Sequence, residues 1–281
     1  MNKEFLDYTK EKEFELPSHK ALLKTLGEHD TMAEFVYLAL EHFEQQLLNE
    51  NQEAIKLICQ LANKYKIPIK GGVQLVDYKV TFCKTLIMNI TAIFEDFIKV
   101  FVSEVNQFSD VSVHPILDKT PYKNLLNEFG SLNPPIIPST KDWINQLNAY
   151  YKLIRNNQAH HGNNTRCYST YNTIDITSMQ ADYSRFIDKA PNKPDEITFN
   201  DYILYSATVK FIAKYLVLSM KGHIDWKNMA NKLDEFQSPV IDQIPKNKRI
   251  PYINKVIYDS FEYKLKNDER RQILFDIKSR D

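Results

Sequence analysis

Residues 154–163 read IRNNQAHHGN, and within them Arg155, Asn156 and His160 form an R-N-x-x-x-H pattern. A fixed cation, an amide and an imidazole are a set of groups that can cut RNA without a metal. RNA carries its own nucleophile, the ribose 2′-OH. Its cleavage needs a proton donor or acceptor that works near neutrality, and an unperturbed histidine does. It also needs positive charge on the pentacoordinate phosphorus, and a guanidinium can fork onto two phosphate oxygens. The products of such chemistry are a 2′,3′-cyclic phosphate and a 5′-hydroxyl. His160, His161 and His223 lack the carboxylate or cysteine spacing of a metal site, so neither metal nor cofactor is expected.

The element that must present these groups is a helix predicted from Thr140 to about His161. Ser139 is the expected N-cap, with Asp142 in the first turn. Gly162 is the expected C-cap, and Asn163-Asn164 suits a turn. On a helical wheel Leu147, Tyr150, Tyr151 and Ile154 cluster around Trp143 as a core stripe. His161 returns to that stripe. His160 falls on the polar face beside Asn156, its i−4 neighbour, near enough for the amide to orient the imidazole. Arg155 and His160 lie about 140° apart on a straight helix, so either the flexible arginine curls round to the histidine or, the arrangement expected here, a second copy of the helix completes the site.

The rest of the chain reads as mainly α. Glycine numbers six in 281 residues, and apolar residues recur at helical spacing. Thr31 to Asn49 and Glu53 to Tyr65 are predicted helices, followed by breakers at Pro68 and Gly71-Gly72. Tyr78 to Val105 is the strongest helix, with Phe82, Leu86, Ile90, Ile93, Phe94, Phe97 and Phe101 on a wide stripe. Asp118 to Phe129 is a short predicted helix, and Pro134, Pro135 and Pro138 mark a loop. Thr165 to Thr177 is rich in Tyr, Thr and Ile with partial alternation, which predicts a small β-hairpin after the motif helix. Asn200 is the expected cap of a further strong helix, Asp201 to Met220, and Ile253 to Lys266 is another. These elements divide the chain into an N-terminal helical extension (1–75), a bundle (76–222) and a C-terminal helical extension (223–281).

Formal net charge is zero, with 36 basic and 36 acidic residues. A protein that coats nucleic acid carries a basic excess, so any RNA contact here is expected to be local. Lys246, Lys248 and Arg249 form one short basic patch. Val80 to Val102 is the most apolar stretch, but Lys84, Glu95, Asp96 and Lys99 interrupt it, and no membrane span is expected. No signal-peptide pattern opens the chain. Three cysteines, Cys59, Cys83 and Cys167, have no paired spacing and fit a reducing, cytoplasmic setting.

With Arg155, Asn156 and His160 in place at the end of an amphipathic helix, residues Val76 to Gly222 resemble the HEPN superfamily. Its nuclease members are helical bundles with an R-x(4–6)-H motif, often with a polar residue after the arginine. His161 would give the five-residue version of that spacing. Ile90 to Val102, ITAIFEDFIKVFV, resembles the family's first long helix, which often holds an acidic residue in an apolar setting; Glu95 matches it. The resemblance implies an antiparallel bundle working as a homodimer, and a metal-independent endoribonuclease. It implies RNA as substrate, a regulatory or antitoxin partner, and a place in prokaryotic defence. The alternative it implies is a non-catalytic module that binds RNA, nucleotide or a protein partner. The toxin branch with Tyr two residues after the histidine is not matched, because Gly162 stands there.

Overall fold

A computed structural model describes residues 14–49, 54–68, 75–109, 125, 137, 141–160, 162–182, 189–227, 229, 233 and 240–278. Four long helices make the body: α1 (Pro17–Asn49), α3 (Leu75–Phe108), α4 (Trp143–His160) and α7 (Phe199–Met220). Shorter helices are α2 (Ala54–Tyr65), α5 (Thr165–Tyr171), α6 (Ile176–Asp182), α8 (Arg249–Phe261) and α9 (Asn267–Lys278). No strand occurs among the described residues; a single bridge joins Ser109 to Ile224.

Side-chain pairs fix the helix directions. Ser18 meets Glu104, His29 meets Asn89 and Glu41 meets Lys79, so α1 runs antiparallel to α3. Tyr205 meets Thr91, and Asp225 N–H donates to the carbonyl of Phe108, so α7 runs parallel to α3. Asn148 meets Tyr205 and Tyr151 meets Asp201, so α4 runs antiparallel to α7. The inner pair α3 and α7 packs together, and both flanking helices, α1 and α4, pack against each of them. α7 is buried around most of its circumference, from Tyr202 and Leu204 to Val217 and Met220, as a central helix must be. Phe199–His223 is long and apolar enough to cross a membrane, but 72% of that window is buried inside the bundle.

Several sequence expectations change in detail. The N-terminal helix begins at Pro17, well before Thr31, because Leu22, Leu26 and Ala33 continue the same buried stripe. Pro17 takes the first helical position, where its missing N–H costs nothing. The helix predicted from Thr140 begins at Trp143. At its start the Asp142 carbonyl accepts the N–H of Gln146, and the Asp142 carboxylate accepts the side-chain amides of Asn145 and Gln146. The cap of α7 is Thr198, not Asn200. The Thr198 N–H donates to the Asp201 carboxylate at 2.9 Å, and Asp201 N–H donates back to the Thr198 carbonyl. Helix Ile253 to Lys266 is instead Arg249–Phe261, ended by Glu262 in the left-handed region at φ 52°. Asp118 to Phe129, Ser139 and the Pro134–Pro138 loop lie outside the described residues, apart from Leu125 and Ile137, both buried.

The predicted hairpin is not formed. Residues 165–171 and 176–182 are helices α5 and α6. Cys167, Ile174 and Met179 are buried, and this placement against α4 overrides the strand preference of Tyr, Thr and Ile.

The outer segments share the bundle's core. Phe14, Leu16, Leu22 and Leu26 from the first 75 residues lie in one buried cluster with Phe261, Tyr263, Leu265 and Ile273 from the last 59. Phe14 stacks on Phe261 at 6.3 Å and meets Tyr263 edge-on at 5.9 Å. Glu15 N–H donates to the Phe261 carbonyl, and the Lys20 ammonium donates to the carbonyls of Asp259 and Ser260 at the end of α8.

Candidate functional site

α4 is held by its buried face: Trp143, Ile144, Leu147, Tyr150, Tyr151 and Ile154 all enter the core, as the wheel requires. Polar bonds fix its rotation. Tyr151 donates to the fully buried Asp201 carboxylate at 3.0 Å. That carboxylate also accepts the backbone and side-chain N–H groups of Asn192, each at 2.8 Å. Burial raises the pKa of Asp201, and these donors only partly oppose it. Burial also raises the pKa of the Tyr151 hydroxyl, which stays a donor at any physiological pH.

With that face fixed, Arg155 emerges toward α3. Its guanidinium donates to the Asn156 side-chain oxygen at 2.9 Å and to the Glu95 carboxylate at 3.4 Å. Lys152, one turn earlier on α4, approaches the other Glu95 oxygen at 4.0 Å. Beside them is a small recess lined by Thr91, Phe94, Ile98, Asn148 and Tyr205. Glu95 and Arg155 each keep more than a quarter of their side-chain surface exposed, so the pair contributes about 0.2–1 kcal/mol to stability. Its 3.4 Å separation is long for a charge-assisted bond, and a phosphate offering two oxygens can compete for the guanidinium.

His160 is the last residue of α4 and is exposed. Among the described residues nothing hydrogen-bonds or ion-pairs with it. The expected Asn156–His160 contact is not made: the Asn156 oxygen is taken by Arg155. Three of the sequence-selected residues, Arg155, Asn156 and Glu95, therefore come together, and His160 stands apart from them on the polar side. His161 lies outside the described residues.

The turn after the motif is pinned by residues that the sequence reading passed over. The Asn157 amide donates to the Asn163 carbonyl at 2.7 Å, to the Asn164 side-chain oxygen at 3.0 Å and to the Cys167 sulfur at 3.2 Å. Asp195 accepts from the Asn164 amide and, at 2.6 Å, from the Tyr168 hydroxyl. Gly162 N–H donates to the Asn157 carbonyl at 3.2 Å, and a Cβ on Gly162 would meet Asn157 Oδ1 at 2.8 Å. Lys152 was detectable as the i−3 neighbour of Arg155. Asn157 and Asp195 carry no local signal, because their partners come from a turn and a distant loop.

No group of three or more His, Cys, Asp or Glu is placed to hold a metal among the described residues. The fold and site define an all-helical bundle with a polar, cation-bearing helix end. No protein-family model, curated protein or solved structure matches the chain.

Proposed function

We propose that the protein is a metal-independent endoribonuclease of HEPN type, acting as a homodimer. The observation that carries the reading is the end of α4. A guanidinium steered by Asn156 and Glu95 sits there five residues before an exposed imidazole, on a helix whose rotation the core fixes. In the proposed reaction His160 moves the proton of the 2′-OH or of the leaving 5′-oxygen. Arg155 leaves Glu95 to take two oxygens of the reacting phosphate. Arg155 and His160 have no contact within the chain, so each active site draws one of them from each protomer. A regulatory or antitoxin partner in a defence setting belongs to the same proposal.

The test is incubation of the purified protein with single-stranded RNA in EDTA. Arg155→Ala and His160→Ala are each expected to lower cleavage at least about a hundredfold, the usual scale for a lost proton-transfer or charge-stabilising group, while stability changes by no more than about 1 kcal/mol, the upper value of a part-exposed ion pair. Cleavage that survives both substitutions removes the proposal. One observation favours a second reading, a module that binds RNA, nucleotide or a partner without cutting. Arg155 is engaged by Glu95 and Asn156 and makes no contact with His160. That reading requires RNA or nucleotide binding with no cyclic-phosphate product.

A further inference from the structure

The chain is electrically neutral as a whole but not locally. Residues 246–281 hold ten Lys and Arg against six Asp and Glu, so the rest of the chain carries the balancing acid excess. Within that basic segment, α8 and the start of α9 enclose an open cleft lined by Asn254, Lys255, Tyr258, Lys264, Leu265 and Arg270. Its walls combine three kinds of group. Lys255 and Lys264 are exposed, and among the described residues no carboxylate pairs with either of them or with Arg270. The Arg270 guanidinium is fixed in the wall by two bonds to the Leu265 carbonyl, at 3.2 and 2.9 Å. Tyr258 leaves 46% of its surface in solvent beside them, while its near neighbours Val256, Ile257 and Phe261 are buried.

Cations that a core or an ion pair does not consume are free to meet an external anion. An exposed phenol among them offers a flat apolar face, and Asn254 adds an amide that donates and accepts. Phosphates spaced along a chain, with unpaired bases between them, fit such a lining. A base is held by stacking on an aromatic side chain, and backbone phosphates track the cations. A duplex offers the phosphates but keeps its bases stacked internally.

We propose that the α8–α9 cleft is a binding site for single-stranded nucleic acid, with phosphates on Lys255, Lys264 and Arg270 and a base stacked on Tyr258. The site stands on its own residues and does not require the α4 motif to be catalytic. If that motif does cut RNA, the cleft holds substrate away from the point of cleavage.

The experiment is fluorescence anisotropy with a labelled single-stranded RNA dodecamer, using the full chain carrying Arg155→Ala and His160→Ala so that no cleavage intervenes. In that background Lys255→Glu/Lys264→Glu is expected to weaken binding at least tenfold and to lower the salt slope by about 1.4, the single-strand value for two phosphates. Tyr258→Ala is expected to weaken it about fivefold or more, the lower end of one stacked base. Lys24→Glu, at an exposed position on α1, is the control and leaves binding unchanged. Binding unaffected by the Lys255/Lys264 reversal overturns the site. So does equal loss for a duplex of the same length with no effect of Tyr258→Ala, which would mark a mere anion patch. An acidic peptide that binds in place of RNA also overturns it. No RNA cleavage by the wild-type protein, with the cleft's affinity intact, would sink the α4 reading alone.

Discussion

At the scale of residues, what separates Arg155 from an ordinary surface arginine is what faces it. Glu95 lies opposite at 3.4 Å, and Lys152 reaches the same carboxylate. Replacing Glu95 by Gln keeps the size and removes the charge, so both cations lose their partner. Stability is expected to fall by less than about 1 kcal/mol, since the pair is part-exposed. RNA affinity should rise and the cleavage rate should fall, because Arg155 is freed but no longer aimed. A titration and a single-turnover rate measured on Glu95→Gln check both halves. Unchanged affinity and rate would mean that Glu95 only decorates the helix. Tyr151→Phe is a harsher change. It removes one donor from the buried Asp201 carboxylate and is expected to cost about 1–3 kcal/mol in a denaturant melt. The chemistry-bearing residues were legible in the sequence because Arg155, Asn156 and His160 are close in the chain. Their partnerships were not. The Asn156 amide goes to its neighbour Arg155 rather than to His160, a rotamer choice that no wheel contains.

At the scale of elements, the helices were legible wherever apolar residues recur at helical spacing over many turns, on a wide stripe in α3 and nearly all round in α7. Their ends were less so, because caps depend on partners. Asp201 caps α7 from inside the helix by accepting the Thr198 N–H, while the sequence drew the eye to Asn200. The supposed hairpin failed for a tertiary reason: Cys167 and Met179 sink into the core at spacings that suit two short helices. The turn after α4 gives a direct check on how the motif end is held. Gly162→Ala pushes a methyl against Asn157 Oδ1 and should disturb the amide's three contacts, lowering stability by about 1 kcal/mol. In an Asn157→Ala background the same change should cost little more, a coupling that a double-mutant cycle reads. The start of α1 offers a pH test. Ser18 donates its N–H at 2.8 Å and its hydroxyl at 2.5 Å to Glu104 on α3. Burial raises the Glu104 pKa above its ordinary 4.5, the Ser18 bonds only partly opposing it. The folded protein therefore binds more protons than the unfolded chain from about pH 4.5 upward, and this group's contribution to stability falls as pH rises. Glu104→Gln keeps acceptance of the Ser18 bonds by one oxygen and removes that titration. Its thermal midpoint relative to wild type should rise with pH through this window, and a flat difference would contradict the assignment.

At the scale of the whole molecule, residues 14–20, before and at the start of α1, are bound to residues 259–263 around the end of α8. Phe14, Glu15 and Lys20 engage Phe261, Asp259 and Ser260, and the aromatic contact runs on through Tyr263 to Trp226, stacked at 5.1 Å. Sequence periodicity could not show this, since it reports each helix's own face and not which distant segment covers it. A chain ending at residue 222 should expose Phe14 and Phe108, bind a hydrophobic dye and lose its cooperative melt. A sharp melt at the full-length midpoint would show that the last 59 residues are dispensable to the core. The proposed homodimer yields a mixing test. Arg155→Ala and His160→Ala proteins, each inactive alone, should regain about a quarter of wild-type activity when exchanged, because random pairing makes half of all dimers mixed, each with one intact composite site. No recovery would place both groups within one chain. The most direct test of the central claim is the chemistry of the RNA ends made in EDTA. The account expects a 2′,3′-cyclic phosphate and a 5′-hydroxyl, formed by wild type and absent with His160→Ala. A 3′-hydroxyl with a 5′-phosphate, or no cleavage at all by the wild-type protein, would contradict it.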